Sequence, residues 1–412
     1  MLSTTNAKAL GAVAALTLMS TAALAANEWI QIPVSGEMQY ELPNGELKTI
    51  DPSCSGGPIF VDGEIVAADT QYSFFVQPGS SRRLLIFLDG GGACWDANTC
   101  LGTPLLNAST YQLTVDETPE ELAEASGVFA ADNPDNPYAD YTKVAIPYCS
   151  GDVHWGARDT TYTLAFPPLE WTVRHRGSDN FLSVLHYLRT QGDEVGVDFE
   201  EVRNLTVMGA SAGAYGTMLA FPYIAELAPN ARLRMLADAG IGVLNEAFYT
   251  TALFDPDAPD AANWGVADAL PNFMGLDQNF LATFVTQPLA LVPGWFTELA
   301  QFRPFAKLAM FTSNLDQTQV DFYALMEALD GRPLDDPAIP LEWYLKMQAI
   351  TNATEGLRNY RTFIEDGDFH TITGSEGYYV PGASGISVRD WNQAMITFGV
   401  DGWETVDVGS PF

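Results

Sequence analysis

The sequence predicts an α/β fold in which a mostly parallel sheet carries helices on both faces and cap-like segments are inserted between the elements. Short runs of β-branched and apolar residues, typical of buried strands, alternate along the chain with longer stretches of helical periodicity. The clearest strand pattern, at residues 204–208, leads through Gly-Ala-Ser-Ala-Gly at 209–213 directly into an Ala-rich helical pattern. In a sheet of this kind, functional residues lie at the carboxyl ends of the strands.

Residues 1–25 have the pattern of a secretory signal peptide. Lys8 is followed by an apolar stretch from 9 to 19 and by small residues at 23–25, before a predicted mature chain that begins at residue 26. The apolar stretch is too short to span a bilayer, and no later segment offers about 18 uninterrupted apolar residues. We therefore expect a secreted or periplasmic protein without a membrane span.

Acidic residues outnumber basic ones. The chain has 52 Asp and Glu against 19 Lys and Arg, a formal net charge of −33, and removal of Lys8 with the signal peptide makes the charge of the mature chain −34. So negative a field excludes nucleic acid and anionic lipid as partners bound through general electrostatics. Because no Pro/Ser-rich linker, charge block or repeat divides the chain, we predict a single domain over residues 26–412, a monomer, with a cap insertion around 254–292.

Four cysteines, an even number in a chain predicted to be exported, indicate two disulfides with three possible pairings. Cys94 and Cys100 are close in sequence, which favours a local bridge between them and leaves Cys54 for Cys149. A metal site is the alternative, but thiolates at this spacing lack a nearby pair of histidines. We expect neither a metal nor another cofactor.

The first buried strands are predicted at residues 72–76 and 83–89, where apolar residues alternate or run together. The second strand ends in three glycines, Gly90 to Gly92, just before Cys94. Successive glycines at the end of a buried strand can turn backbone N–H groups outward, as an oxyanion hole requires, and a bridge at Cys94 would hold them still. A flexible glycine loop is the alternative, but such loops are rare between a core strand and a disulfide.

A third strand, predicted at 142–147, precedes the densest basic stretch of this acidic chain. Between residues 148 and 176 lie three of the arginines and two of the four histidines, together with aromatic residues. Such a cluster could make a substrate groove locally positive, whereas pairing of the arginines with structural carboxylates is the alternative. The candidate substrate contacts in this stretch are His154, Trp155, Arg174 and Arg176.

The sequence Gly-x-Ser-x-Gly around Ser211 is typical of a nucleophile elbow, in which the serine takes a strained backbone and holds its hydroxyl clear of the sheet. The helix that follows aims its positive N-terminal end at the hydroxyl. Taken as five letters the motif is weak, and a tight strand-to-helix turn is the alternative. The flanking strand and helix patterns favour the elbow. Other predicted elements are helices at 178–191 and 317–328, strands at 232–238 and 305–312, and a weak last strand at 369–373.

An elbow of this kind requires an acid and a histidine later in the chain, each after a strand. His370 is the histidine that follows Ser211, and a surface or core histidine without a chemical role is the alternative. Two acids follow predicted strands. Asp316 is the better placed because it lies one strand later, while we expect Asp238 to line the pocket or to hold a loop.

Together these motifs resemble the pectin acetylesterase and Notum family of secreted carboxylesterases, which has the α/β-hydrolase fold. The similarity extends from about Cys54 to Tyr379, and its five motifs are weak alone but specific in this order. They are Leu-Asp-Gly-Gly-Gly-Ala-Cys-Trp at 88–95 with Cys100, the loop at 147–156, Gly-Ala-Ser-Ala-Gly at 209–213, Asp316 with Gln319, and His370.

The resemblance implies a Ser-His-Asp carboxylesterase without a cofactor. In it Ser211 is the nucleophile, His370 the base and Asp316 its orienter. The implied oxyanion hole consists of the N–H groups of Gly91, Gly92 and Ala212. The resemblance also supports the disulfides Cys94–Cys100 and Cys54–Cys149.

The predicted substrate is an acetylated glycan or a small ester, from which the enzyme removes O-acetyl groups, as from a polysaccharide. The family often carries an aromatic residue where this chain has Gly92 and Ala93, so a wider acyl pocket is expected. Two alternatives stay open: a hydrolase of lipid-like or polyester acyl chains, and a non-catalytic binding protein on a hydrolase scaffold.

Overall fold

The computed structural model describes residues 28–61, 64–102, 110–165, 168–258, 261–397 and 402–412, and the signal peptide predicted at 1–25 lies outside these ranges. The strands within them are β1 (Ile30–Val34), β2 (Met38–Glu41), β3 (Leu47–Ile50), β4 (Pro58–Val61), β5 (Glu64–Ala67), β6 (Tyr72–Gln77), β7 (Ser80–Leu88), β8 (Tyr141–Ile146), β9 (Arg158–Ala165), β10 (Pro168–His175), β11 (Asn204–Ala210), β12 (Arg232–Asp238), β13 (Lys307–Ser313), β14 (Tyr360–Glu365) and β15 (Val406–Asp407).

Helices of varied length connect these strands, together with short 3₁₀ and π segments. The α-helices are α1 (Ala97–Leu101), α2 (Pro119–Glu124), α3 (Gly177–Gln191), α4 (Ala212–Leu227), α5 (Glu246–Phe248), α6 (Gln278–Ala282), α7 (Leu291–Phe302), α8 (Gln317–Glu327), α9 (Ile339–Thr354) and α10 (Val388–Ile396).

Nine strands form one sheet in the order β1-β6-β8-β7-β11-β12-β13-β14-β15. From β8 to β15 all neighbouring strands are parallel, while β6 pairs antiparallel with both β8 and β1. The carboxyl ends of β7, β11, β12, β13 and β14 therefore meet at one edge of the sheet. The other strands form three two-stranded hairpins, β2 with β3, β4 with β5 and β9 with β10.

Both faces of the sheet are covered, as alternate residues of a single strand demonstrate. In β7, Leu84 and Ile86 pack in a cluster that includes Phe181 of α3 and Met218 of α4. Leu85 of the same strand packs in a second cluster on the opposite face, which also contains residues of α2 and α10. Since successive side chains of a strand point to opposite faces, the apolar run of β7 requires a layer of helices on each side. The predicted α/β fold is confirmed.

The predicted strands before residue 320 and the helices at 178–191 and 317–328 match the observed elements to within three residues at each end. The last strand was wrongly predicted at 369–373. The strand at this position in the sheet is β14, which contains Arg361, Thr362 and Glu365 and so lacks a continuous apolar run. Residues 369–373 instead form a loop after β14, whose backbone is bonded to side chains of other segments.

Two disulfides join Cys54 to Cys149 and Cys94 to Cys100, in the pairing that the sequence favoured. In the part of the chain that the structure describes, no helix has the length and apolar character needed to cross a membrane.

The segment predicted as a cap insertion, 254–292, lies between β12 and β13 in the chain. Its described part contains α6 and short 3₁₀ turns, and its residues Trp264, Leu291 and Val292 contribute to the wall of the pocket described below. That residues 26–412 form a single domain stays a prediction.

Candidate active site

Ser211 lies in the sharp turn between β11 and α4, with φ 56° and ψ −121°. Two glycines make this turn possible. A Cβ on Gly209 would lie 2.2 Å from the carbonyl oxygen of Gly213, and one on Gly213 would lie 2.0 Å from the carbonyl oxygen of Leu88. Both positions therefore exclude any side chain, and the turn has the geometry expected of a nucleophile elbow.

Asp316 and His370 form a hydrogen-bonded pair at the ends of β13 and β14. The Nδ1 atom of His370 is 2.8 Å and 2.9 Å from the two carboxylate oxygens of Asp316, whose side chain is fully buried. Asp316 is itself fixed as the N-cap of α8, where it accepts hydrogen bonds from the backbone N–H and the side-chain amide of Gln319. The carboxylate thus holds the imidazole in one orientation and one tautomer, with Nδ1–H as the donor.

The second ring nitrogen of His370, Nε2, is buried and has no hydrogen-bond partner among the described residues. Ser211 and His370 line the same pocket. Because the Nδ1–H of His370 donates to Asp316, Nε2 of the neutral ring is an acceptor. In unliganded enzymes the contact between nucleophile and base is often long and tightens only with substrate.

The glycine loop after β7 is fixed by pairing with residues 110–112. Gln112 N–H donates to the Gly91 carbonyl oxygen at 2.8 Å, and Ala93 N–H donates to the Thr110 carbonyl oxygen at 3.2 Å. Gly92 has φ 78°, and a Cβ there would lie 2.0 Å from that same Thr110 oxygen. These contacts make the loop ordered rather than flexible, and only glycine fits at residue 92.

The N–H groups of Gly91, Gly92 and Ala212 donate no hydrogen bond to other described residues. Gly92 and Ala212 line the pocket, whereas Gly91, which precedes Gly92 in the glycine loop, is not among its lining residues. Unused backbone donors beside a serine at a helix N-terminus can hold an oxyanion. The arrangement is therefore suited to acyl transfer.

The pocket has apolar walls and a volume of about 790 Å³ with its mouth included. Its aliphatic residues include Val243, Leu244 and Leu253, and no Asp, Glu, Lys or Arg of the described residues lines it. The aromatic residues that line it are Trp95, Trp155, Tyr215, Phe248, Trp264, Phe322 and Trp343.

Comparisons with known proteins show which families and structures the chain is similar to. A sequence model of the pectinacetylesterase family matches residues 62–253. The chain is 30% identical over 150 residues to a palmitoleoyl-protein carboxylesterase NOTUM of Schmidtea mediterranea, and 25% identical over 181 residues to the human protein of that name. Over these residues the chain is similar to the pectin acetylesterase and Notum family. This similarity confirms the resemblance found in the sequence.

The extent of these matches differs between sequence and structure. The two alignments cover 35% and 42% of this chain, and they span only 25% and 33% of the length of these curated relatives. In structure, the chain is similar to the Wnt deacylase Notum from Drosophila, with a TM-score of 0.50, 20% identity, and coverage of 87% of this chain and 92% of the other. At that identity the structural match supports the fold alone, which is of the α/β-hydrolase type.

His154, which the sequence predicted as a substrate contact, does not line the pocket. It is 1% exposed, and its Nε2 bonds to the Asp89 carbonyl oxygen at 2.9 Å, while its ring packs on Tyr148. Burial lowers the pKa of His154 to about 4, so the ring is neutral at pH 7. His154 therefore supports the start of the glycine loop, while its neighbours Val153 and Trp155 line the pocket.

Arg174 and Arg176 do not line the pocket either, and their role as substrate contacts stays a prediction. Arg174 pairs with Asp51, and Arg176 pairs with Asp159 at 2.8 Å and with Asp179 at 3.2 Å. Arg174 and Arg176 are thus neutralised by carboxylates on β9, α3 and the N-terminal segment. This is the alternative that the sequence had left open.

Asp238 is likewise absent from the pocket wall and is fully buried at the end of β12. Its Oδ2 accepts hydrogen bonds from Ile372 N–H at 2.9 Å and from Thr373 N–H and Oγ1 at 2.8 Å and 2.6 Å. Burial raises the pKa of Asp238, and these donors oppose the rise. Of the two roles that the sequence allowed, Asp238 holds a loop, namely the one that carries His370.

Cys94, Cys100 and His175 are close enough together to resemble a metal site. The two sulfurs are joined in a disulfide, and the ring nitrogens of His175 bond to Tyr162 Oη and to the Ser150 carbonyl oxygen. The two sulfurs are therefore not thiolates that could bind a metal, and both ring nitrogens of His175 already have hydrogen-bond partners.

Sequence reasoning missed the apolar pocket. Its aromatic residues come from the glycine loop, from the loop after β8, from α4, from segments after β12, and from α8 and α9, so they have no common spacing. The high aromatic content of the stretch after β12 was a signal, but it could equally have indicated an ordinary core.

Proposed function

We propose that this protein is a serine carboxylic-ester hydrolase. Ser211 is the nucleophile, His370 the base and Asp316 its orienting acid. One observation carries the proposal: a histidine fixed by a buried carboxylate at 2.8 Å has its other nitrogen unpaired, and it lines the same pocket as a serine on a strained elbow. This is the arrangement that acyl transfer through a covalent intermediate needs.

In the proposed reaction, His370 Nε2 takes the proton of the Ser211 hydroxyl as the oxygen attacks the ester carbonyl. Asp316 stabilises the imidazolium that forms. The N–H groups of Gly91, Gly92 and Ala212 hold the oxyanion of the tetrahedral intermediate. The imidazolium then protonates the leaving alcohol, and a water molecule deprotonated by His370 releases the acid from Ser211.

The pocket supports an apolar acyl group. An uncharged cavity lined by aromatic and aliphatic side chains beside Ser211 gives no particular advantage to a two-carbon acyl group, whereas each methylene of a longer chain gains about 0.8 kcal/mol on burial. We therefore propose esters with an apolar acyl chain as the preferred substrates. The name palmitoleoyl-protein carboxylesterase, borne by several relatives, is consistent with this preference.

Removal of O-acetyl groups from a polysaccharide is the second candidate. The description of the matching family, pectinacetylesterase, favours it. In both cases we propose a secreted or periplasmic location, because two disulfides suit an oxidising compartment.

Chromogenic esters with acyl chains of increasing length separate the two candidates. We expect kcat/KM to rise with chain length from acetate, by up to about fourfold per methylene, until the pocket is full. A maximum at acetate, together with release of acetate from acetylated glycans, would instead establish the deacetylase. No turnover of any ester would support the non-catalytic alternative.

A pocket variant makes the test specific. Val243 lines the pocket, and Val243→Phe should reduce turnover of long-chain esters while acetyl ester turnover stays within about threefold of the original. The matched control is Val380→Phe, since Val380 is 61% exposed and lies outside the pocket wall. The control should leave the chain-length profile unchanged.

A further inference from the structure

Five residues other than glycine have a positive φ among those described, and all of them surround the candidate active site. Val153, Ser211 and Ala239 line the pocket, while Thr371 adjoins His370 in the chain. The fifth is His154, beneath the glycine loop. Such conformations persist only where surrounding contacts enforce them. Strain at Thr371 therefore needs a specific restraint.

Thr371 has φ 61°, which is exceptional for a β-branched residue. The residues that follow it supply the restraint: the backbone N–H groups of Ile372 and Thr373 both donate to one oxygen of Asp238. The Thr373 hydroxyl donates to the same oxygen at 2.6 Å. Three donors on one buried carboxylate oxygen fix the turn that immediately follows His370.

The same residue also contacts the nucleophile turn. The backbone carbonyl oxygen of Asp238 accepts a hydrogen bond from Ser211 N–H at 2.8 Å. Asp238 thus bonds through its backbone to the elbow and through its side chain to the histidine loop. No other carboxylate among the described residues has bonds to both segments.

We propose that Asp238 is a positioning residue for the ester hydrolysis proposed above: its carboxylate holds the strained turn at Thr371 and so directs the imidazole of His370 toward Ser211. The inference rests on that proposed function. It assigns Asp238 a role different from that of Asp316, which contacts the imidazole itself. The prediction is a defect in the chemical step with little change in substrate binding.

Steady-state kinetics of Asp238→Asn on a chromogenic ester test the proposal. The amide keeps an acceptor oxygen, but it removes the charge that strengthens the three bonds and places an N–H₂ group where Asp238 Oδ1 has no partner. We expect kcat to fall about 10- to 100-fold, since small misplacements of catalytic groups have effects of this size, while KM stays within about threefold. Thr373→Val should produce a smaller loss of kcat, and Thr373→Ser, which keeps the hydroxyl, should restore it.

Relief of the strained turn provides a rescue that a general loss of stability cannot imitate. Asparagine adopts positive φ more readily than threonine and keeps a Cβ, so Thr371→Asn lowers the need for the restraint. In the Asp238→Asn background, Thr371→Asn should raise kcat at least about threefold. Failure of this rescue would overturn the proposal.

Glu365→Gln is the matched control. Glu365 is another buried carboxylate, and it accepts bonds from the Asp366 N–H and the Ser384 hydroxyl rather than from the His370 turn. The Glu365→Gln variant should be less stable than the original protein, and adding Thr371→Asn should not raise its kcat. Ser211→Ala distinguishes the two proposals. If this variant retains turnover, the proposed function fails. If Ser211→Ala has no turnover but Asp238→Asn has a native kcat, only the positioning role of Asp238 is overturned.

Discussion

Ser211 is held in a backbone conformation that costs free energy, and its neighbours explain why it persists. Gly209 and Gly213 leave room for the turn, and the Ser211 N–H is bonded to the carbonyl oxygen of Asp238. His370 is held as firmly, by Asp316 on one nitrogen and by the loop contacts beyond it. At the scale of single residues, the site is preorganised before any substrate binds.

The first prediction concerns the proposed triad. Ser211→Ala and His370→Ala should each lower kcat for a chromogenic ester by at least about 10³-fold, because triad members act as one unit. Circular dichroism and thermal unfolding should show that both variants remain folded. A Ser211→Ala protein with near-native turnover would contradict the acyl-enzyme mechanism.

The acid can be assigned in the same assay. Asp316→Asn should be severe, because it removes the carboxylate that contacts Nδ1 of His370 at 2.8 Å, and Asp238→Asn should be milder because it acts through the loop. The reverse ranking would transfer the orienting role to Asp238.

At the scale of elements, the glycine loop is held in place by contacts with several different segments of the chain. It follows β7, pairs with residues 110–112, and is closed by the Cys94–Cys100 bridge. The backbone of Cys94 bonds to Gly151 and to the Trp264 indole N–H, so the bridge also anchors the loop to the pocket wall.

The second prediction separates stability from activity by means of the two disulfides. Their loops span 6 residues for Cys94–Cys100 and 95 for Cys54–Cys149, which in the chain-entropy model correspond to about 2 and about 4.7 kcal/mol of stability. Replacing the Cys54–Cys149 pair with serines should therefore reduce the unfolding free energy more. Replacing the Cys94–Cys100 pair should reduce kcat more, since it releases the oxyanion loop.

Chemical denaturation and ester kinetics on the same two variants check this crossed ranking. Intact mass after alkylation of the unmodified protein should show no free thiol, as both bridges are formed. A reactive thiol at Cys94 in the native protein would contradict the proposed tether.

The third prediction concerns two acidic residues: Asp89, which directly precedes the glycine loop, and Glu117, whose carboxyl lies near that of Asp89. Burial, together with the nearby Asp89 carboxyl, raises the pKa of Glu117 to about 8, and burial also raises the pKa of Asp89. A folded-state pKa above the unfolded value stabilises the fold below the unfolded pKa of about 4.5, and that contribution is lost as pH rises through 8. The contribution of these acids to the free energy of unfolding should therefore decrease as pH rises from about 4.5 to 8.

Urea unfolding of the original protein and of Glu117→Gln over this pH range measures the effect. The variant should gain stability relative to the original protein as pH rises, because its amide cannot ionise. Glu124→Gln, an exposed position on α2, is the control and should show a constant difference. A constant difference for Glu117→Gln as well would exclude the proposed ionisation.

At the scale of the whole molecule, the sequence predicted what local patterns encode. Strand and helix periodicity indicated the parallel sheet, and the turn chemistry around Ser211 indicated the elbow. The order of Ser211, Asp316 and His370 then followed from the topology that such a sheet requires. These features depend on residues that are near one another in sequence or at the ends of successive strands.

Features made by distant segments could not be predicted in this way. The pocket is apolar because Trp95, Phe248 and Trp343 converge from three separate parts of the chain. The arginines appeared available because their carboxylate partners, such as Asp51, lie up to 123 residues away. Strand β14 was missed since its polar residues hide the alternation that a buried strand usually shows.

The last prediction concerns substrate charge. The formal net charge of −33 opposes a polyanion such as pectin, but at physiological ionic strength the Debye length is about 8 Å, so only local charge decides. Locally the pocket has no Lys or Arg among its described lining residues, and Arg174 and Arg176 are held in ion pairs. Neutral acetylated glycans or small esters should therefore be hydrolysed at least as well as acetylated polygalacturonate at low salt, and added salt should narrow the gap. Arg174→Ala and Arg176→Ala should leave that ratio unchanged; a preference for the polyanion that these variants abolish would restore pectin as the substrate.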